Sequence, residues 1–475
     1  MFKLNSKLNI KEATETLVVG VQETQENDLF ADIINNLKAR NPKFFNLGEV
    51  TVFYPLKDFS AKEIHFVGLG NKETYQVKDI QTVFSSVYKK IKNDSIIVLE
   101  SFIALHNDSK RLVEKIVETI GLVQYKFNNY KTEPKKQTSY DITIMSNQDV
   151  EKAIEFGVIN AEATNHARSL VNEPRNKLTP SHLADYAVAL ANNLGLEYKI
   201  YDKKEIEALK MGAFLAVNQG SKEEAKLIHL KYRNNASNSD VTALIGKGVT
   251  YDSGGYSIKP KDGMAGMKTD MGGAATVLGA IEAISRKGLK ANVDVIIAAT
   301  ENLISSEAIV PDDVIVAMNG KTIEILNTDA EGRLTLVDAV TFAKRQNASR
   351  IIDVATLTGG VVTALGLDIT GGFTNNDAFY QEVKTAANKV NEDLWQLPVD
   401  QFRERCRKSD VADYNNSPGR DGHASFGAAI IAEFAEDTPW VHLDIAGTAA
   451  KRSDYLLGPA GGTGVMVRTL TQLFE

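Results

Sequence analysis

Apolar residues in the first third of the chain fall in short runs separated by polar stretches. Residues 17–21, 64–68 and 96–99 read as buried strands: each is too short for a helix and rich in β-branched side chains. Between them, residues 79–92 repeat apolar positions at helical spacing. A polar stretch at 128–137 precedes a further strand at 142–145, and residues 149–171, with no proline and one glycine, predict a long helix. Beyond that helix the pattern changes. Apolar runs at 241–245, 293–298, 323–326, 351–355 and 441–445 run out into Gly, Asp or Thr, and helical segments separate several of them. One is 273–287, with Gly288 as its expected stop.

This alternation predicts an α/β protein of two domains. A small N-terminal α/β domain covers 1–150, and a larger C-terminal α/β domain covers 151–475 around a mostly parallel central sheet with helices on both faces. Ligand sites in such sheets lie beyond the C-terminal strand ends, which is where the polar residues collect. A length of 475 residues also favours two cores over one.

Composition narrows the partners. The formal net charge of −7 gives no general attraction to nucleic acid or to an anionic membrane. A single cysteine, Cys406, in the polar run Arg403-Glu404-Arg405-Cys406-Arg407-Lys408, excludes an intrachain disulfide and reads as an incidental thiol of a reducing compartment. The N-terminus lacks an unbroken apolar signal region and no run reaches membrane-spanning length, so a cytoplasmic protein with no membrane partner is expected.

Three segments carry the chemistry. Lys247 to Pro260 (KGVTYDSGGYSIKP) places Asp252 before a glycine turn, between Lys247 and Lys259. Met267 to Ala275 (MKTDMGGAA) contains Asp270, and Asn327 to Leu334 (NTDAEGRL) contains Asp329, Glu331 and Arg333. If the last segment stays extended, Asp329, Glu331 and Arg333 point to one side. Alternatively, one of Asn327, Thr328 and Asp329 caps a helix beginning near Ala330, and Asp270 is likewise open to reading as a plain helix cap. Should the segments converge, four carboxylates meet, and two divalent cations balance them formally. Left unpaired and buried, they would cost several kcal/mol per ion. Oxygen donors suit Mg or Mn, and Zn accepts carboxylates too.

These segments resemble those of the leucyl aminopeptidase family, the M17 metallopeptidases, whose hallmark octapeptide is NTDAEGRL. The resemblance extends through Asn172 to Pro180 (NEPRNKLTP), Met211 to Val217, Ala355 to Gly359 and His442 to Thr448. It implies a small N-terminal (macro-like) domain and a di-metal catalytic domain that removes N-terminal amino acids, of Leu type, from peptides. By the resemblance, Lys247, Asp252, Asp270 and Glu331 hold the tighter metal, and Asp252, Asp329 and Glu331 the more exchangeable one. The cations would be Mn or Zn, with Co or Mg as alternatives, and the nucleophile a water between them. Lys247 would ligate as a neutral amine, Lys259 would stabilise the oxyanion, and Arg333 would hold a bicarbonate acting as general base. Met267, Thr356 and Gly359 would line the substrate pocket, and six chains would assemble as a homohexamer. Departures from the family fall at Tyr251, Gly360 and the stretch 416–423, and bear on substrate preference. Competing readings are a DNA-binding accessory role, using Lys110, Arg111, Lys115, Lys126, Lys131, Lys135 and Lys136; a two-metal phosphatase or nuclease; and an inactive scaffold.

Overall fold

A computed structural model describes the chain except Met1, Lys7, Leu8, Glu12 and residues 24–27, 56–58 and 135–139. It divides into two compact units, one of residues 1–162 with 454–459, the other of 163–453 with 460–475. The division falls within the helix Glu151–Asn172, about twelve residues beyond the boundary at 150 expected from the sequence.

In the first unit a six-stranded sheet runs in the order Phe2–Asn5, Ile142–Met145, Ser95–Val98, Thr16–Val21, Ile64–Gly68 and Val50–Phe53. All pairs are parallel except the last. Alternate residues face opposite ways, as the two-residue period of a strand requires. Val18, Val67 and Ile97 join one apolar cluster, which includes Phe84 and Ile116 of the helices Val77–Lys90 and Ser109–Val123. Leu17, Val19, Phe66 and Ile96 join another. Lys115, counted among the basic residues of the DNA-binding reading, is buried and paired with Glu118 at 2.7 Å, so it belongs to the interior. Arg111 faces Glu114 at 3.7 Å, and Lys135 and Lys136 lie outside the described residues.

The second unit is built on an eight-stranded sheet. Its central strands Trp440–Asp444, Arg350–Ala355, Thr242–Asp252 and Asn292–Asn302 are mutually parallel, and antiparallel pairs occur toward both edges. The central strands are fully buried or nearly so, because helices cover both faces. Ala243 and Ile245 pack with Leu334, Val337 and Ala343 of the helix Glu331–Arg345, whereas Gly246 abuts Ala274 of the helix Gly272–Arg286. The predicted run 323–326 pairs elsewhere, as Thr322–Glu324 in a separate three-stranded sheet. Cys406 is also not in a polar setting: it is fully buried in the apolar core, and burial pushes its thiol up to about 11, which removes it as a nucleophile. Among the described residues no helix is long and apolar enough to cross a membrane.

Candidate metal centre

Glycines bring the first two acidic segments together. A Cβ on Gly246 would stand 2.6 Å from Ala274 Cα, and one on Gly273 only 1.9 Å from the Val354 carbonyl oxygen. The helix Gly272–Arg286 therefore presses directly onto the sheet, and the residues beside these glycines meet: Lys247 Nζ lies 2.7 Å from Asp270 Oδ2. Asp270 is not a helix cap, since Met271 occupies that position and no side chain caps this helix. At the end of the strand Thr242–Asp252, Gly254 and Gly255 take φ of +86° and +61°, a left-handed pair that reverses the chain. The reversal returns Lys259, whose amide donates to Ser253 O at 3.0 Å. Its ammonium lies 2.8 Å from Asp252 Oδ2 and also contacts Asp329.

The third segment does not stay extended. The chain enters the helix Glu331–Arg345 there, with Ala330 at the cap position and no capping side chain. Asn327 Oδ1 instead accepts the Asp329 amide at 2.8 Å, so the Asp329 carboxylate is not spent on the helix. One oxygen each of Asp252, Asp329 and Glu331 lies within 4.8 Å of the others. Lys247 ties Asp270 into this group through its 2.8 Å contact with Glu331 Oε1.

Electrostatics show what the group lacks. Four carboxylates, all but Asp329 fully buried, face two lysine ammoniums. Both Glu331 oxygens, Asp270 Oδ2 and Asp329 Oδ1 lack a well-aligned hydrogen bond, although an ammonium touches three of them. Burial pushes Asp270, Asp329 and Glu331 above the usual carboxylate range, and the neighbouring acids push further. Burial opposes the charge on Lys247, but Asp270, Glu331 and Asp252 outweigh it and hold the ammonium above the ordinary lysine range. An excess of buried, under-bonded carboxylate oxygens fits a divalent cation. Lys247 can join as a ligand only when the cation displaces its proton.

Arg333 forms no ion pair with this cluster and is buried without a carboxylate partner among the described residues. It donates to Asn416 O at 2.5 Å and to His423 Nε2 at 3.2 Å. Burial, then the guanidinium, push the His423 imidazole down to about 4, so it is neutral at pH 7. Because a guanidinium only donates, Nε2 accepts and the proton sits on Nδ1. His423 was not a candidate from sequence. The signal was indirect: a Cβ on Gly360 would stand 2.9 Å from His423 Cβ and 2.7 Å from the Ala424 nitrogen, so the glycine makes room for the ring.

Met267, Thr356 and Gly359 line one cavity of about 430 Å³ together with the carboxylates and both lysines. Thr356 does more than form a wall: its hydroxyl donates to Asp270 Oδ1 at 2.8 Å. Sequence reading also missed Asn302, which is paired with Asp252 across parallel strands. Its amide donates to Asp252 Oδ1 at 2.8 Å and to Thr328 O at 3.0 Å, joining two acidic segments.

A mostly parallel sheet whose strand ends gather four carboxylates and two lysines in one cavity defines a metal-dependent hydrolase. Residues 165–471 match the catalytic domain of the cytosol aminopeptidase family and residues 27–134 match its N-terminal domain; the chain belongs to that family and is a metal-dependent aminopeptidase acting on peptides. Among solved structures it is similar to the bottromycin maturation enzyme BotP, at 30% identity over 97% of this chain and 99% of that one, with a TM-score of 0.86. A structure of BotP in complex with Mn matches at 29% identity, 98% and 99% coverage, and the same TM-score of 0.86.

Proposed function

We propose that the chain releases single N-terminal residues of Leu type from peptides. The observation that carries this reading is the shared cavity, where Met267 and Gly359 stand beside the carboxylate cluster. Lys247, Asp252, Asp270 and Glu331 would hold one divalent cation, and Asp252, Asp329 and Glu331 a second. When bound, the cations supply Lewis acidity that polarises a carbonyl and makes water nucleophilic at neutral pH. Mn or Zn suits the donors, and the Mn complex of BotP supports Mn. Lys259 supplies a fixed positive charge: burial opposes it, but Asp252, Glu331 and Asp329 hold the ammonium above its ordinary range. That charge would stabilise an oxyanion developing beside it. Arg333 would seat a bicarbonate, with His423 already on one of its nitrogens.

The same reading includes a homohexamer in the cytoplasm. A monomeric mass in light scattering would count against it. The test of the activity compares leucine p-nitroanilide, its N-acetyl form and a phosphate ester. Turnover of the first alone supports an exopeptidase; turnover of the ester would move the reading to phosphoryl transfer.

A further inference from the structure

The catalytic cavity meets a second one at Asn327, Gly359 and His423. The second cavity holds about 780 Å³, and no acidic side chain lines it. Its one permanently charged lining residue is Arg420, which is exposed and makes no ion pair or hydrogen bond among the described residues. His423 stands at the junction but is neutral, for the reasons above. Ser425 also lines the cavity; it is 5% exposed, and its hydroxyl has no partner among the described residues. The helix His423–Ala435 starts at the same wall, with no capping side chain and no acid in its first turn.

We infer that this second cavity takes the C-terminal carboxylate of a short peptide, making the protein selective for free dipeptides and tripeptides. The inference rests on the aminopeptidase reading and deepens it. A peptide whose N-terminal residue occupies the first cavity places its remainder beyond the cleaved bond. Two or three extended residues reach about 7–11 Å, so a terminal carboxylate arrives in the adjoining space. There Arg420 offers a planar donor pair suited to a carboxylate, and Ser425 and the uncapped helix end offer further donors. A longer peptide brings a neutral amide to the same place and leaves Arg420 unmatched. The stretch 416–423 supplies the Arg420 side of the cavity through Ser417, Gly419, Arg420 and Gly422.

The experiment compares kcat/KM for Leu-Gly, Leu-Gly amide and leucine p-nitroanilide on the metal-loaded protein, then the acid-to-amide ratio in Arg420→Ala, Arg420→Lys and Ser425→Ala. The native protein is expected to favour the acid by about tenfold or more. The ratio should fall toward one in Arg420→Ala and recover in part in Arg420→Lys, a pattern that loss of folding would not produce. Equal turnover of acid and amide by the native protein, with the anilide cleaved, overturns the carboxylate site and leaves the aminopeptidase standing. A high ratio unchanged in Arg420→Ala and Ser425→Ala overturns the assignment to this cavity. No turnover of any of the three overturns both.

Discussion

Asn302 is where the architecture makes its sharpest demand on a residue that no motif marks. Its side chain is 2% exposed and donates to Asp252 Oδ1 and to the Thr328 carbonyl, fixing the strand end that bears Asp252 against the loop that bears Asp329. Asn302→Ala removes both donors. The bond to a carboxylate is worth about 1.5–3 kcal/mol and the bond to a neutral carbonyl about 0.5–1.5 kcal/mol. Both figures are already net of exchange with water, so a stability loss of about 2–4.5 kcal/mol is expected. Loss of an orienting partner behind a metal ligand typically costs about 10–100-fold in metal affinity or activity. The assay is a thermal melt of metal-stripped protein, followed by titration with Mn while activity is read. Asn302→Asp serves as the same-size control: it places a second carboxylate against Asp252 and should be at least as damaging at neutral pH. Native-like metal affinity in Asn302→Ala, with the melt lowered as expected, would refute the view that Asn302 holds Asp252 for the metal.

Other outcomes follow from the same geometry. Gly273→Ala puts a Cβ 1.9 Å from a backbone oxygen that cannot yield, so a loss of about 3 kcal/mol or more is expected in denaturant melts; a loss under 1 kcal/mol would contradict the close helix–sheet contact. Asp338 accepts the amides of Phe214 and Met318 at 2.9 and 2.7 Å, so Asp338→Asn, which turns one acceptor into a donor, should cost about 1–3 kcal/mol in chemical denaturation. The His423 ring is expected to titrate near pH 4 by NMR, because burial and Arg333 lower it from 6.5; a midpoint between 6 and 7 would place it away from the guanidinium. Sign follows: the unfolded chain binds the proton that the fold rejects between these values, so His423 lowers stability as pH falls from 6.5 toward 4. Metal loading should release a proton as Lys247 becomes a ligand, so affinity should rise with pH; no proton release in calorimetry across buffers of different ionisation enthalpy would mean that Lys247 stays charged.

Much of this was legible in the sequence because burial imposes a strong pattern. Strands such as Ile64–Gly68 and Arg350–Ala355 are apolar runs bounded by polar residues, and the structure places them within a residue or so of where the pattern does. The acidic segments were legible because short-range motifs persist in the chain, and all four carboxylates converge. What escaped depends on distance across the fold. The extended reading of Asp329, Glu331 and Arg333 failed because the helix starts at Glu331, a choice made by packing of Leu334, Val337 and Ala343 rather than by a cap. Asn302 and His423 escaped because each acts only through a partner far away in sequence. Cys406 was misread from its charged neighbours, since a helix can bury one face while its charges point outward.

The central claim, a cation-dependent aminopeptidase site built on the four carboxylates, is tested most directly by hydrolysis of leucine p-nitroanilide by metal-stripped protein. Mn, Zn, Co and Mg are added back in parallel, beside Asp329→Ala. The account predicts activity that needs an added cation and falls at least about 100-fold in the variant. Full activity without metal, or an Asp329→Ala protein as active as the native one, would contradict it.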